Sequence, residues 1–360
     1  MKILDRYILL QFLRTFLFTS LTFLSLFTLI NMVENLDGFM DKGQGWGAIL
    51  QYYLFAVPQI LLITSPVSSL LASILVAGRL AVSSELPAIR SAGIGMGQLL
   101  YPFMIGGALI SGLNLMNSFW LAPATTFRNN DFERRYLNKQ QKNDLDRSRN
   151  LHILEPGERI VTLGLLNPDM RSADDVSIEQ FGPEGVVSRL DADSLGYNRE
   201  SGEWVLSNVS ERTFEGGRER FSSLSHLPVP LTLTLKSLAE LNLRPDEMNI
   251  NSHWEYLSEK KQAGFAGLER SSVKLHTKFS LPFASLIIIL IGVPLSAKKK
   301  RGGLATEIGI SLFAGFLFLG LQKTIATFGY NGVMPPILSA WLPNLLFLGV
   351  GYALYRYSPD

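Results

Sequence analysis

Apolar runs of bilayer length stand on both sides of a charged middle, and this limits the chain to a membrane–soluble–membrane plan. A bilayer core takes about 20 apolar residues of helix. Residues 8–33, ILLQFLRTFLFTSLTFLSLFTLINMV, meet this, with Arg14 near the start. The run is too long for a signal peptide, and no A-x-A-like cleavage site follows it. A second span lies within 49–82. Pro58 and Pro66 predict a kink there, with neighbouring helices satisfying the freed carbonyls. A third covers about 98–122, where Gly106, Gly107 and Gly112 predict a face for close packing. The fourth, fifth and sixth fall at about 276–296, 304–328 and 335–356. The expected organisation is 1–124 with spans one to three, 125–273 as an inserted domain, and 274–360 with spans four to six.

Composition agrees: 47% of the 360 residues are hydrophobic and the mean hydropathy is +0.19. A net charge of +2 points to no nucleic-acid partner. The absence of cysteine excludes disulfides, thiolate metal sites and a cysteine nucleophile. Short basic loops set orientation. The tightest cluster is Lys298, Lys299, Lys300 and Arg301, between spans four and five. Placing it in the cytoplasm puts both termini there, with Lys2 and Arg6, and the 79–97 loop, with Arg79 and Arg90. The 34–47 loop, with Glu34, Asp37, Asp41 and Lys42, and the insert are then expected on the outer side of the membrane.

The insert reads as β. Residues 158–166, 176–181, 186–198 and 203–215 are short, partly alternating segments, with turn formers such as Asn167-Pro168, Gly182-Pro183 and Glu200-Ser201-Gly202 between them. This spacing suggests a sandwich or barrel. Residues 125–148 and 251–274 read as charged helical stalks on either side.

Catalytic chemistry is missing from the pattern. There is no G-x-x-x-x-G-K-[ST]; GFLFLGLQKT at 315–324 resembles it superficially and lies in a span. H-E-x-x-H and G-x-S-x-G do not occur. The four histidines, His152, His226, His253 and His276, are scattered, so no metal site is expected. No carboxylate falls at a likely midplane, which disfavours an ion-coupled carrier. Glu307 falls at the cytoplasmic start of span five.

Two features remain. Basic residues gather at the outer side: Lys42, Arg128, Arg134, Arg135, Lys274, Lys278 and, within span five, Lys323. They either snorkel to headgroups or form a ring that attracts phosphates on an anionic lipid. Arg14 is expected to snorkel inward. The other feature is the 79–97 loop, RLAVSSELPAIRSAGIGMG. Ser83, Ser84 and Glu85 can start a helix with Pro87 in its first turn, and Ala88, Ile89 and Ala92 would form a small apolar face. Such a helix is either an ordinary connector or an element that docks into a partner's groove.

Several segments, in order, resemble the LptF/LptG family of lipopolysaccharide-export permeases. They are ILDRYILLQFL at the start, SELPAIRSAG after span two, WLAP at 120–123, KFSLPFASLIIILIGVPLS in span four and MPPILSAWLPN opening span six. The resemblance covers essentially the whole chain. It implies a polytopic α-helical membrane protein with six transmembrane helices and an inserted periplasmic all-β, jellyroll-like domain. It implies partners: a homologous permease subunit, an LptB ATPase dimer that binds the ATP, LptC and lipopolysaccharide. No cofactor is expected on this chain itself. In the family, the helix after span two couples the permease to the ATPase. Here that maps onto 84–93, with Ser84, Glu85, Ala88, Ile89, Arg90 and Gly93. Lys42, Arg134, Arg135, Lys274, Lys278 and Lys323 are the candidate lipid-phosphate residues. Some family members carry lysines at the outer end of span one. This chain has Asn31, Asn35 and Asp37 there, so those contacts are expected to be arranged differently. The LDRYI start and KGQG at 42–45 look more like the LptG side.

The resulting expectation is a non-catalytic permease subunit of an exporter driven by a separate ATPase. The alternative is a membrane-anchored scaffold whose β domain binds an envelope protein without transport. An isolated enzyme is disfavoured because no nucleophile–base arrangement exists.

Overall fold

The computed structural model describes residues 3–41, 45–133, 149–155, 158–167, 172–182, 185–198, 202–215, 218–231, 244–262, 267–297 and 303–358. Two compact units emerge. The first joins Met1–Phe132, Pro245–Trp254 and Glu269–Asp360; the second joins Glu133–Arg244 and Glu255–Leu268.

Among the described residues, the first unit holds six helices long and apolar enough to cross a membrane. Span one is Ile3–Asp41 and span two Trp46–Val82. Span three is Met96–Met116, which passes through a wide π turn at Asn117–Leu121 into Ala122–Phe132. Span four is Glu269–Ile287, continued after a break at Ile288 by Ile289–Ser296. Spans five and six are Gly303–Tyr330 and Pro336–Arg356. Each contains or overlaps its expected segment; spans one to four run several residues beyond it at one or both ends, while spans five and six end within two residues of it. The protein is thus a polytopic helical membrane protein with a β domain inserted between spans three and four.

Apolar packing and small polar groups hold the spans together. Phe12, Leu80, Phe103 and Ile289 lie in one buried cluster, with the Phe12 and Phe103 rings edge to face at 5.5 Å. Leu70, Ile74, Ile288, Phe318 and Phe347 lie in another. With no water to take up a free carbonyl, each proline in a span needs a substitute donor. Pro282 cannot donate to the carbonyl of Lys278, and the Ser118 hydroxyl does so instead at 2.9 Å. The π turn carries Ser118 and also Asn117, whose amide donates to the Pro58 carbonyl at 2.8 Å. Three residues further into span three, Asn114 donates to the Ser65 hydroxyl at 2.6 Å, and Ser285 lies 3.1 Å from the same oxygen. Spans two, three and four therefore share one buried polar junction.

The expected small-residue face of span three is only two-thirds right. A Cβ on Gly106 would meet Phe12 at 2.6 Å, and one on Gly107 would meet Ile289 at 2.5 Å. Gly112 faces open space.

The second unit is built on a six-stranded antiparallel sheet in sequential order: β1 (Arg149–Glu155), β2 (Arg159–Asn167), β3 (Ser172–Gly182), β4 (Gly185–Asn198), β5 (Glu203–Glu215) and β6 (Arg218–Val229). The described strands form a meander. Four of them match the expected segments. β1 and β6 were not expected, and β6 is exposed along all but its last few residues, so it lacks the alternation that marks a half-buried strand. Of the stalk segments, 125–132 continues span three and 250–262 is a helix, while 134–148 lies outside the described residues.

A crease crosses the sheet. Asn150, Gly164, Asp175, Asp193, Asn208 and Ser225 fall on one line where pairing is interrupted, although the register on either side is unchanged. Asp175 and Asn208 sit there with φ of 53° and 54°, a region Asp and Asn tolerate better than most residues. The inward alternation slips by one residue across the line. Ala173 is buried before it and Val176 and Ile178 after it; Trp204 and Leu206 before it and Val209 after it. Each strand inserts one residue at the same place, so the extra residues cancel between neighbours and one apolar face continues through the bend. Gly164 is required, since a Cβ would lie 2.5 Å from that of Asp175 and 2.7 Å from its carbonyl oxygen.

Candidate functional site

Antiparallel connection of the spans brings two clusters of chemistry to opposite ends of the first unit. At one end a short helix, Glu85–Ser91, follows span two. Its start is tight. Ser84 adopts φ 60°, and the Ser83 hydroxyl lies 2.9 Å from both the Arg79 carbonyl and the Glu85 carboxylate. The turn after it closes through Gly93 at φ 80°, whose N–H donates to the Arg90 carbonyl at 2.9 Å. Leu86 is the anchor, buried in the cluster with Leu80, Met96 and Leu99. Ser84, Glu85, Ala88 and Gly93 are exposed, while Ile89 and Arg90 are half-buried. The Nη2 of Arg90 is buried without a partner among the described residues. The six expected residues thus come together on one small element. Leu86, which fixes it, was missed; an apolar residue between Glu85 and Pro87 was the available signal.

At the other end the chain returns to the first unit through a strap, Pro245–Trp254. Asp246 accepts from the Lys274 ammonium, and the Met248 carbonyl accepts from Lys278. Asn130 donates to Glu247 at 2.5 Å. Asn249 caps the following helix by accepting from the Ser252 N–H at 2.9 Å. His253 is fully buried, with Nε2 2.9 Å from the Ser271 hydroxyl. Burial pushes the His253 pKa down to about 3, and the neighbouring Lys278 ammonium adds to the effect. Its ring is neutral at physiological pH.

The six expected phosphate ligands are not all gathered there. Lys274 and Lys278 are held by the strap. Lys323 is exposed on span five, and its ammonium has no partner among the described residues. Lys42, Arg134 and Arg135, like the Lys298–Arg301 cluster, lie outside the described residues. Arg128 stacks over the Phe55 ring at 5.4 Å. Among the described residues no group of three or more metal-ligating side chains occurs.

A match to known proteins over nearly the whole chain accompanies this geometry. The family model for the lipopolysaccharide export system permease LptF/LptG aligns with residues 6–357. The chain belongs to the LptF/LptG family. Its relatives include the lipopolysaccharide export system permease protein LptG of Haemophilus influenzae, 23% identical with 96% of each chain covered. LptG of Escherichia coli K12 is 25% identical over 96% of this chain and 95% of the relative. LptF of the same organism is 22% identical over 98% and 94%. The margin towards LptG is slight, in keeping with the LptG-like N-terminus. The LptF/LptG alignment takes in the short helix, the strap and the β insert.

Proposed function

We propose that this chain is the transmembrane permease subunit of an ATP-binding-cassette exporter that extracts lipopolysaccharide from the inner membrane and passes it to a periplasmic bridge. The observation that carries the reading is the family match from residue 6 to 357, a range that includes the spans and the insert. A homologous LptF/LptG-family subunit pairs with it, an LptB dimer binds and hydrolyses the ATP, and LptC begins the bridge. The subunit itself performs no covalent chemistry. The short helix lies on the cytoplasmic side with both termini, and the β domain lies in the periplasm.

The mechanism is a mechanical coupling through a two-state element. The exposed face around Glu85, Ala88 and Gly93 meets a groove of the ATPase, while Leu86 ties the helix to spans one to three. Closure of the ATPase then moves the ends of spans two and three and shrinks the lipid cavity. Lys323 holds a lipid phosphate, and Lys42, Arg134 and Arg135 are assigned the same role. Lys274 and Lys278 add positive potential from behind the strap.

The test is ATP-dependent lipopolysaccharide release from proteoliposomes containing the chain, its paired permease and the ATPase. Wild type releases lipid, and Glu85→Ala loses release together with ATPase association. Normal export by Glu85→Ala sinks the role given to this residue. If no ATPase binds the wild-type chain, the scaffold reading replaces the exporter.

A further inference from the structure

The strap end contains a cavity of about 110 Å³, lined by Gln59, Asp246, Lys274, Thr277, Lys278 and Tyr330, among others. Its charges do not balance. Lys274 is paired with Asp246, while Lys278, only 8% exposed, has a backbone carbonyl as its one hydrogen-bond acceptor among the described residues. An ammonium offers three donors, and a buried charge without a counter-ion is costly. The lining thus carries one more cation than anion. The two lysine contacts also differ in exposure. The Asp246 side chain is 46% exposed and that of Lys274 is 17% exposed, so the carboxylate sits at the rim where solvent reaches it. A carboxylate and a carbonyl oxygen, both from the strap, are bound by two ammonium groups that otherwise suit a phosphate.

We propose that the strap is an internal ligand, with the Asp246 carboxylate and Met248 carbonyl occupying Lys274 and Lys278, and that a phosphate-bearing anion exchanges with Asp246 and releases the strap. A dianionic phosphate monoester carries two charges where the Asp246 carboxylate and the Met248 carbonyl together carry one, and so balances both lysines, which Asp246 alone does not. The volume suits a phosphate group and excludes a whole lipid, since each water in liquid takes about 30 Å³. A lipid would therefore enter only by its headgroup. The lipid source rests on the export reading; the exchange itself does not.

Amide exchange of residues 245–254 tests the device in the full chain, held in maltoside micelles that contain no phosphate. One arm adds inorganic phosphate against sodium chloride of equal ionic strength. The other adds lipopolysaccharide to the micelles. The expected result is about tenfold faster strap exchange with the anion, which corresponds to about 1.4 kcal/mol, while the amides of span three stay unchanged. Asp246→Asn reproduces the fast exchange without anion and removes the response; Asp246→Glu restores protection. Where Asp246→Asn fails to fold, Lys274→Gln serves in its place. A response in both arms, or to phosphate alone, makes a free anion sufficient; a response to the lipid alone identifies the headgroup. Flat exchange in both arms, or a neutralised strap that stays protected, overturns the proposal. Failure of the export reading shows separately, as absence of lipid release, because the strap measurement needs neither ATPase nor paired subunit.

Discussion

Spans two and four, against spans one and five, show what hydropathy does and does not decide. All four are apolar enough to cross a membrane. Yet 72% and 67% of the most apolar stretches of spans two and four are buried, against 17% and 22% in spans one and five. The difference lies in side-chain size. Span two carries Ser65, Ser68, Ser69 and Ser73, and span four carries Ser280, Ser285 and Gly292, all buried. Lipid tails are as apolar as leucine, so helices associate through close backbone approach and shared hydrogen bonds, which small residues permit. Spans one and five instead present large apolar side chains outward, among them Leu17, Phe18, Leu29, Phe313 and Phe316. Those faces suit acyl chains, and in the proposed assembly a second permease subunit.

The comparison breaks most readily at Gly292. A Cβ there would collide with the Ser73 hydroxyl and come within 3.2 Å of Leu70. Gly292→Leu is therefore expected to force spans two and four apart, at a cost of about 3 kcal/mol, the upper end for overpacking a dense core. The readout is the yield of monodisperse protein and its unfolding midpoint in micelles. A Gly292→Leu chain that unfolds like wild type would mean that these two spans do not form the rigid centre.

Acid is expected to act next most strongly, at the strap end of span four. His253 ordinarily titrates near 6.5, and burial holds it down to about 3. Above pH 6.5 both folded and unfolded forms carry a neutral ring and the contribution to stability is complete. As pH falls from 6.5 towards 3, the unfolded chain takes up a proton that the folded one refuses, and stability is lost. By pH 5 the loss is about 2 kcal/mol. Asp246, Lys274 and Lys278 also face this site, so the control is His253→Gln. That variant should show a smaller drop in unfolding midpoint between pH 7 and pH 5. An equal drop in both would assign the acid sensitivity to another group.

Much of this centre was legible in the sequence. Hydropathy located every span, and Gly106 and Gly107 marked close packing in span three, while the buried serines of spans two and four were not read as packing residues. What stayed hidden depends on pairing between distant residues. Lys274 and Lys278 read as surface cations because Asp246 and Met248, 28 and 30 residues away, gave no sign of reaching them. Gly112 looked like Gly106 and Gly107, since nothing local tells which side of a helix meets a neighbour. In the β domain the strands with clear alternation were found. The crease was written as a slip in that alternation, Ala173 to Val176 and Leu206 to Val209, which reads as noise until neighbouring strands align it. β6 sets Phe221, Leu224 and Leu227 three residues apart among polar ones, so it shows no two-residue period.

Asn114→Ala is expected to have a modest effect, about 0.6 kcal/mol, typical of a single hydrogen bond between membrane helices. It removes the donor to Ser65 but leaves Ser285 to take its place. The Ser285→Ala partner variant makes the point sharper. If the junction is shared, the double variant costs more than the two single losses added, measured as unfolding midpoints of all four chains. Simple additivity would mean that the three spans are held by independent contacts.

The smallest expected effect is also the one that separates an exposed face from a covered one. A Cβ on Gly112 or on Gly320 of span five meets nothing within 4 Å. In the isolated chain, Gly112→Leu and Gly320→Leu should each shift stability by less than about 0.5 kcal/mol, as substitutions outside a packed contact do. Their behaviour diverges once a second LptF/LptG-family subunit is present, if the poorly buried spans are the ones it covers. Span five is among them and Gly320 lies beside exposed Leu317, so Gly320→Leu should then weaken assembly, while Gly112→Leu should not. The measurement is co-purification of the paired permease at fixed expression. Equal assembly with both variants would place the interface away from Gly320 and leave that face to lipid. Loss with Gly112→Leu instead would move the interface to span three, and low burial within one chain would no longer identify where the partner sits.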